Sequence, residues 1–368
     1  MKFGFGLMRL PIVNNDDKQI DMKQFCAMAD DFIAAGGTYF DTAYIYHGGN
    51  SESAFKEAVV NRYKRDMYTI ADKMPMFLVK EENQLEKIFN EQLERCGVEY
   101  FDYYLLHSLT QAHIETVEKI NAVDFILKKK ECGYIKKVGF SFHDTAEVLD
   151  KFLTKYPEME FVQLQINYLD YETDDIQSRK CYEIAAKHNK PVVVMEPVKG
   201  GLLAELPEEI ARVLKKRDKN ASMASWAIRF AASLENVKVV LSGMSNMQQM
   251  EDNLSYMREF VSLSDEEKRL ILEVGEAVKN YTTIACTKCR YCENNCPMGL
   301  AIADYFELYN DYKRYGNAFL KTAVERYNKL TVDRAKAGEC LECGACEDAC
   351  PQHLKIRDFL ATIASAFE

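Results

Sequence analysis

The residues best equipped for chemistry lie towards the end of the chain. Cys286, Cys289, Cys292 and Cys296 follow the pattern C-x2-C-x2-C-x3-C-P, and Cys340, Cys343, Cys346 and Cys350 repeat it, with Pro351 after the last. Three closely spaced thiolates can wrap a cube of iron and sulfide, while a fourth, set off by a Pro-started turn, reaches away. Zinc is the alternative, but zinc sites use two Cys pairs with a long gap between them rather than four thiolates so close together. The other four cysteines, Cys26, Cys96, Cys132 and Cys181, stand singly among helix-like residues and read as core filler. A second group, Asp41, Tyr46, Lys73 and His107, supplies a carboxylate, a phenol, an amine and an imidazole, each at or just past the end of an apolar run.

Those apolar runs are the elements that must position the second group. Eight of them read as strands: Phe3–Leu7, Thr38–Thr42, Met67–Ala71, Phe101–Leu106, Lys136–Ser141, Phe161–Ile166, Pro191–Glu196 and Val237–Ser242. They are β-branched or aromatic with little alternation, as parallel strands buried on both faces require. The segments between them have helical period. In 21–36 the apolar residues Met22, Phe25, Ala29, Phe32 and Ile33 follow Asp21 as N-cap and precede Gly36-Gly37 as stop. Eight β/α units in order predict a (β/α)8 barrel, an α/β fold whose chemistry sits at the C-terminal strand ends. An open doubly wound sheet is the rival, and no G-x-G-x-x-G follows the first strand. A helical segment, 264–278, closes the barrel region. Composition then shifts to Cys, Tyr and basic residues, which places a barrel domain over 1–278 and a second domain over 279–368.

At this point the chain resembles the aldo/keto reductases, which set an Asp/Tyr/Lys/His tetrad in contexts like DTAYIYHGGNSE, TIADKMP and YYLLHS. The phrases GFSFHD, VQLQINYLD, MEPVKGGLLAELP and EDNL resemble the branch that carries a ferredoxin-like tail with two [4Fe-4S] clusters. In two-cluster ferredoxins the fourth Cys of each motif ligates the other cluster. That implies Cys286, Cys289, Cys292 and Cys350 on one cluster, and Cys340, Cys343, Cys346 and Cys296 on the other. In the barrel, the resemblance implies that Tyr46 donates a proton to a carbonyl that accepts hydride. Lys73, held charged by Asp41, would stabilise the phenolate, a task of about 3–4 kcal/mol for a buried cation a few ångströms away. His107 would hydrogen-bond the carbonyl oxygen. His143, one residue past a strand end, stands between a site role and a core role.

The nicotinamide cofactor, NADP or NAD, is expected along Gly6, Leu7 and Met8 at the first strand end, with Ser141 and Gln163 at its carboxamide. Met195 lies beside the ring, and Gly243 and Asn253 lie in the stretch LSGMSNMQQMEDN at the adenosine end. Three positions depart from the family pattern: Phe142 where an Asn often follows the Ser, Met195 where an aromatic usually stacks, and Gln249 where a 2′-phosphate-binding Arg is common.

Charge and composition exclude several other functions. The formal net charge of -10 disfavours nucleic acid and anionic lipid as partners. From Glu276 onward 13 acids face 12 bases, so this part is near neutral. The N-terminal residues MKFGFGLMRLP show no signal-peptide run and no stretch reaches membrane-spanning length, so a cytoplasmic, reducing location is expected. The leading expectation is an oxidoreductase acting on a small carbonyl or alcohol, accompanied by two [4Fe-4S] clusters. The alternative is an electron-transfer protein whose clusters exchange electrons with ferredoxin or flavodoxin and whose barrel is not a carbonyl reductase.

Overall fold

A computed structural model describes residues 1–14 and 16–368. The chain divides into two compact units, Met1–Val198 with Asn220–Arg269, and Lys199–Lys219 with Leu270–Glu368.

The first unit is a closed barrel. Its strands in chain order are β1 (Phe3–Gly6), β4 (Tyr39–Asp41), β5 (Thr69–Met74), β6 (Phe101–Leu109), β7 (Ile135–Phe142), β8 (Phe161–Gln165), β9 (Val192–Met195) and β10 (Val237–Gly243). All eight pair in parallel and in sequence order, and β1 closes on β10. A small antiparallel hairpin, β2 (Ile12–Val13) and β3 (Asp16–Ile20), follows β1. No apolar pattern marks it, since its residues are almost all polar or exposed.

Strand residues alternate between two environments. One set packs outward against helices: Phe3, Phe5 and Phe40 meet Phe25 and Phe32 of the helix Met22–Ala34, with ring centroids 5.1–6.0 Å apart where edges meet faces. Full burial of each such ring contributes about 1.5–3 kcal/mol. The other set fills the barrel: Tyr39, Ala71, Leu105, Phe161, Val193, Val239 and Leu241 form one cluster. Gly139 leaves room for it, since a Cβ there would lie 2.6 Å from both the ring and the carbonyl oxygen of Phe161. Several helix starts carry side-chain caps, of which Asp21 was expected. The Asp21 side chain accepts from the Gln24 N–H, and Thr145, Ser222 and Asn246 cap three further helices in the same way, each worth about 1 kcal/mol.

The second unit is helical. The helices Ile302–Tyr315, Asn317–Leu330 and Ile356–Phe367 bury Tyr305, Phe306, Tyr327, Leu360 and Ile363 around the cysteine loops. The segment Lys199–Lys219 belongs to it, although in sequence it sits between β9 and β10. Its glycine Gly200 lies directly on the backbone of Thr287. This division differs from the boundary at 278/279 because a packing contact from a loop has no composition signature. Among the described residues no helix is long and apolar enough to cross a membrane.

Candidate active site and cluster ligands

Two residues beyond the packed layer, six of the eight barrel strands carry a different kind of residue. Tyr39 is followed by Asp41, Ala71 by Lys73, Leu105 by His107, Phe161 by Gln163, Val193 by Met195 and Leu241 by Gly243. A period of two therefore lifts the polar residues as one layer above the apolar floor, at the C-terminal strand ends.

Lys73 is the centre of this layer. It is buried, and its ammonium donates to Asp41 Oδ1 at 2.6 Å and to the Thr42 carbonyl at 2.6 Å. Gln92 donates to the Lys73 carbonyl at 3.0 Å and accepts from the Tyr104 hydroxyl, which fixes the strand end from outside. Tyr46 lies in the turn Tyr46–Gly49, and the Lys73 ammonium stands 5.1 Å from the centre of its ring. The His107 ring meets the Tyr46 ring edge to face at 6.1 Å and the Phe77 ring at 5.4 Å. Burial holds the His107 imidazole well below its ordinary value, and the charge on Lys73 pushes it the same way. The ring is accordingly neutral at physiological pH. The structure thus brings Asp41, Tyr46, Lys73 and His107 together. His47, next to Tyr46, is turned elsewhere: its Nε2 accepts from the Leu10 N–H, and its Nδ1 lies 2.8 Å from the Asp17 carbonyl.

The residues expected at a nicotinamide are placed less uniformly. Gly6 is flanked by Gly243 on one side and Asp41 on the other, with Leu7 and Met8 in the short turn that follows. Ser141 and Gln163 are register partners, buried at the ends of β7 and β8. Ser141 accepts from the Ser108 N–H at 2.7 Å, and Gln163 donates to Asp41 Oδ2 at 3.1 Å. Met195 ends β9 beside Gln165. Asn253, buried on the helix Met247–Met257, donates to the Ser242 hydroxyl at 2.9 Å and accepts from Tyr256. Its position supports the end of β10.

One buried acidic group escaped sequence reasoning. Glu52, Asp72 and Cys96 converge behind Lys73, all fully buried. Glu52 faces Arg95 at 3.1 Å, and Asp72 accepts the Lys73 N–H at 2.8 Å. Burial, then the neighbouring Glu52 charge, raises the Asp72 carboxyl well above its ordinary value, and burial raises Glu52 too. The signal was present in the order of residues: Asp72 precedes Lys73 on a buried strand and so points to the opposite face.

In the second unit the cysteines separate into the two crossed sets. A small pocket is lined by Cys296, Cys340, Cys343 and Cys346, with Met298, Leu300, Ile302 and Leu360 supplying apolar walls. Cys286, Cys289, Cys292 and Cys350 form the other set and act on one another's ionisation. No two of the eight are joined as a disulfide. Burial pushes the Cys286 and Cys292 thiols up. It does the same to Cys350, where the N–H groups of Leu354, Gln352 and His353 and the charge on Lys199 pull the other way. Four soft sulfur donors around an apolar pocket, and a second set of four close to one another, fit iron–sulfur clusters, and metal binding would release the protons that burial retains.

A parallel barrel with a polar tetrad at its C-terminal face, carrying a cysteine-rich helical unit, defines an oxidoreductase of the barrel class. The chain belongs to the aldo/keto reductase family: the model of that family matches residues 2–276, and a 4Fe-4S dicluster domain matches residues 285–354. Among curated proteins it is 23% identical over 268 residues to L-galactose dehydrogenase of Arabidopsis thaliana, covering 67% of this chain and 82% of that one. It is also 23% identical over 260 residues to the oxidoreductase YqkF of Bacillus subtilis, covering 62% and 80%. Among solved structures, an aldo-keto reductase of Bacillus halodurans in its holo form superposes with a TM-score of 0.59 at 22% identity, covering 74% of this chain and 91% of that one. One from Klebsiella pneumoniae in complex with NADPH gives 0.56 at 18%, covering 74% and 90%.

Proposed function

We propose that the barrel catalyses reversible reduction of a small-molecule carbonyl with NADP or NAD, and that the second unit holds two [4Fe-4S] clusters able to exchange electrons with ferredoxin or flavodoxin. The observation that carries the first part is the Lys73 ammonium, bonded to Asp41 at 2.6 Å and set against the Tyr46 ring. A nicotinamide supplies a hydride when bound, along Gly6, Leu7, Met8 and Met195, with Ser141 and Gln163 at its carboxamide and Gly243 and Asn253 towards its far end.

The chain's own residues handle the proton and the charge. Carbonyl reduction develops negative charge on oxygen, and the Tyr46 hydroxyl delivers a proton there. The buried Lys73 cation stabilises the phenolate left behind, because Coulombic attraction is strong where water is excluded. Asp41 keeps that cation charged and aimed. His107, neutral, hydrogen-bonds the substrate oxygen without competing as an acid. Tyr46→Phe tests this reading. Turnover should fall by about 10²–10⁴, the usual worth of a positioned general acid, while nicotinamide binding measured by fluorescence stays close to wild type. Retained turnover in Tyr46→Phe on a confirmed carbonyl would remove the tetrad from the mechanism.

For the clusters, the crossed cysteine sets predict about eight iron and eight sulfide per chain, two clusters of four. Stoichiometric zinc without sulfide would overturn that part. The rival reading, electron transfer without carbonyl chemistry, is favoured by the altered cofactor positions Phe142, Met195 and Gln249 and opposed by the grouping of Asp41, Tyr46, Lys73 and His107.

A further inference from the structure

The turn Lys199–Gly201 touches both ends of one cysteine set without supplying a ligand. Lys199 is only 2% exposed, and its ammonium donates a 2.9 Å hydrogen bond to the side-chain oxygen of Gln352, itself 6% exposed. Gln352 stands two residues past Cys350. At the other end, Gly200 packs so closely on Thr287, the residue after Cys286, that a Cβ would lie 2.5 Å from its carbonyl oxygen and 2.7 Å from its Cα. Lys199 holds φ at 45°, in the left-handed region that a residue with a side chain adopts only when its surroundings impose it. A buried ammonium, a strained backbone and a glycine pressed onto a ligand loop all converge on the Cys286, Cys289, Cys292 and Cys350 set.

A cluster held by four thiolates is anionic, and it becomes more so by one charge when it accepts an electron. A cation fixed inside the same protein unit stabilises the reduced state more than the oxidised one, because its attraction grows with the negative charge it faces. Net charge and hydrogen bonding around the sulfurs are the means by which proteins set such potentials. We infer that Lys199 sets the reduction potential of the cluster held by Cys286, Cys289, Cys292 and Cys350, raising it above the value that the cysteines alone would give. This rests on the cluster assignment above. It gives the two clusters distinct potentials, so an electron arriving at either has a defined direction of travel.

The test is an EPR-monitored redox titration of anaerobically purified full-length protein with dithionite and mediators, after iron and sulfide analysis. Lys199→Gln keeps a hydrogen-bonding side chain and removes the charge. The midpoint of one cluster should fall by at least a tenfold change in its reduction equilibrium, 59 mV for a one-electron couple, while the other cluster moves far less. Lys199→Arg should return the midpoint towards wild type. Absence of iron and sulfide from the wild-type protein would break the cluster assignment itself. Full clusters with an unmoved midpoint in Lys199→Gln would leave that assignment intact and overturn the role of Lys199. Should Lys199→Gln fail to assemble the cluster, Gln352→Leu decides, since it removes the 2.9 Å hydrogen bond that holds the ammonium beside the Cys350 loop. A lowered midpoint there supports the role, and an unchanged one overturns it.

Discussion

Gln163 and Asp41 are joined across the barrel: the Gln163 amide donates to Asp41 Oδ2 at 3.1 Å from β8, four strands around the ring from β4. The carboxylate that holds Lys73 through its other oxygen is thereby anchored from the opposite wall. Removing a hydrogen bond to a charged group loses about 1.5–3 kcal/mol. In Gln163→Leu, kcat/KM for the carbonyl should fall about 10–100-fold. Steady-state kinetics of the variant would show this, and wild-type kinetics with an unchanged fold would mean that Asp41 needs no such anchor.

The same geometry shows why much of the site was legible in the sequence. Asp41, Lys73 and His107 each follow an apolar inward residue by two, so the strand period alone places them in one layer. The eight strands stood out because both faces are largely buried and most of their residues are apolar. The β2–β3 hairpin did not, since its residues are polar or exposed for the most part and none is buried. Gln163 was expected at the cofactor, but its bond to Asp41 depends on barrel closure, which brings β8 opposite β4, a relation no local pattern encodes. The attachment of Lys199 to the cluster unit was hidden for the same reason. Two cations of the cluster segments, Lys288 and Arg290, are paired: Lys288 with Glu307, and Arg290 with Glu293 and Asp304.

The buried pair behind Lys73 makes stability pH-dependent. Asp72 is raised above its ordinary value of 3.8 by burial and then by Glu52. In the unfolded chain it ionises near that ordinary value, so above it folding must either retain a proton or bury a second negative charge. Its contribution is most favourable below the unfolded value and is lost as pH rises towards the folded one. Asp72→Asn imitates the protonated form and can still accept the Lys73 N–H. Thermal melts from pH 5 to pH 9 should show the advantage of the variant over wild type widening steadily as pH rises, because the loss begins above 3.8. A constant difference across the range would mean that Asp72 is not the titrating group.

His107 gives the opposite slope. Burial, reinforced by Lys73, depresses its imidazole well below 6.5. The folded state therefore excludes a proton that the unfolded chain binds below 6.5, so this contribution is present above that value and lost as pH falls. Denaturant unfolding at pH 5 and pH 7.5 should show a smaller pH difference in His107→Asn than in wild type. Carbonyl turnover should also lack an inflection near 6.5 from this ring, which NMR titration of its carbon-bound protons would check directly. A ring that titrates at its ordinary value would contradict the neutral hydrogen-bonding role.

The exchange of electrons with a carrier can be tested by charge. Lys313, Arg314 and Lys336 are exposed on the second unit, and with Arg334 they outnumber the paired Lys288 and Arg290 as cations open to an acidic partner. Attraction between exposed charges is screened over about 10 Å at 0.1 M salt, so reduction of the clusters by reduced ferredoxin should slow as salt rises. Lys313→Glu with Arg314→Glu should slow it at low salt, whereas Lys288→Gln should have little effect because Glu307 already occupies that charge. NADPH presents a different case. It delivers two electrons as hydride, and each cluster accepts one, so flavin-free protein mixed with NADPH alone should keep its clusters oxidised. Stopped-flow absorbance would follow both reactions. Salt-independent reduction by ferredoxin would remove the electrostatic docking face, and full reduction by NADPH would show that the barrel and the clusters exchange electrons without an intermediary.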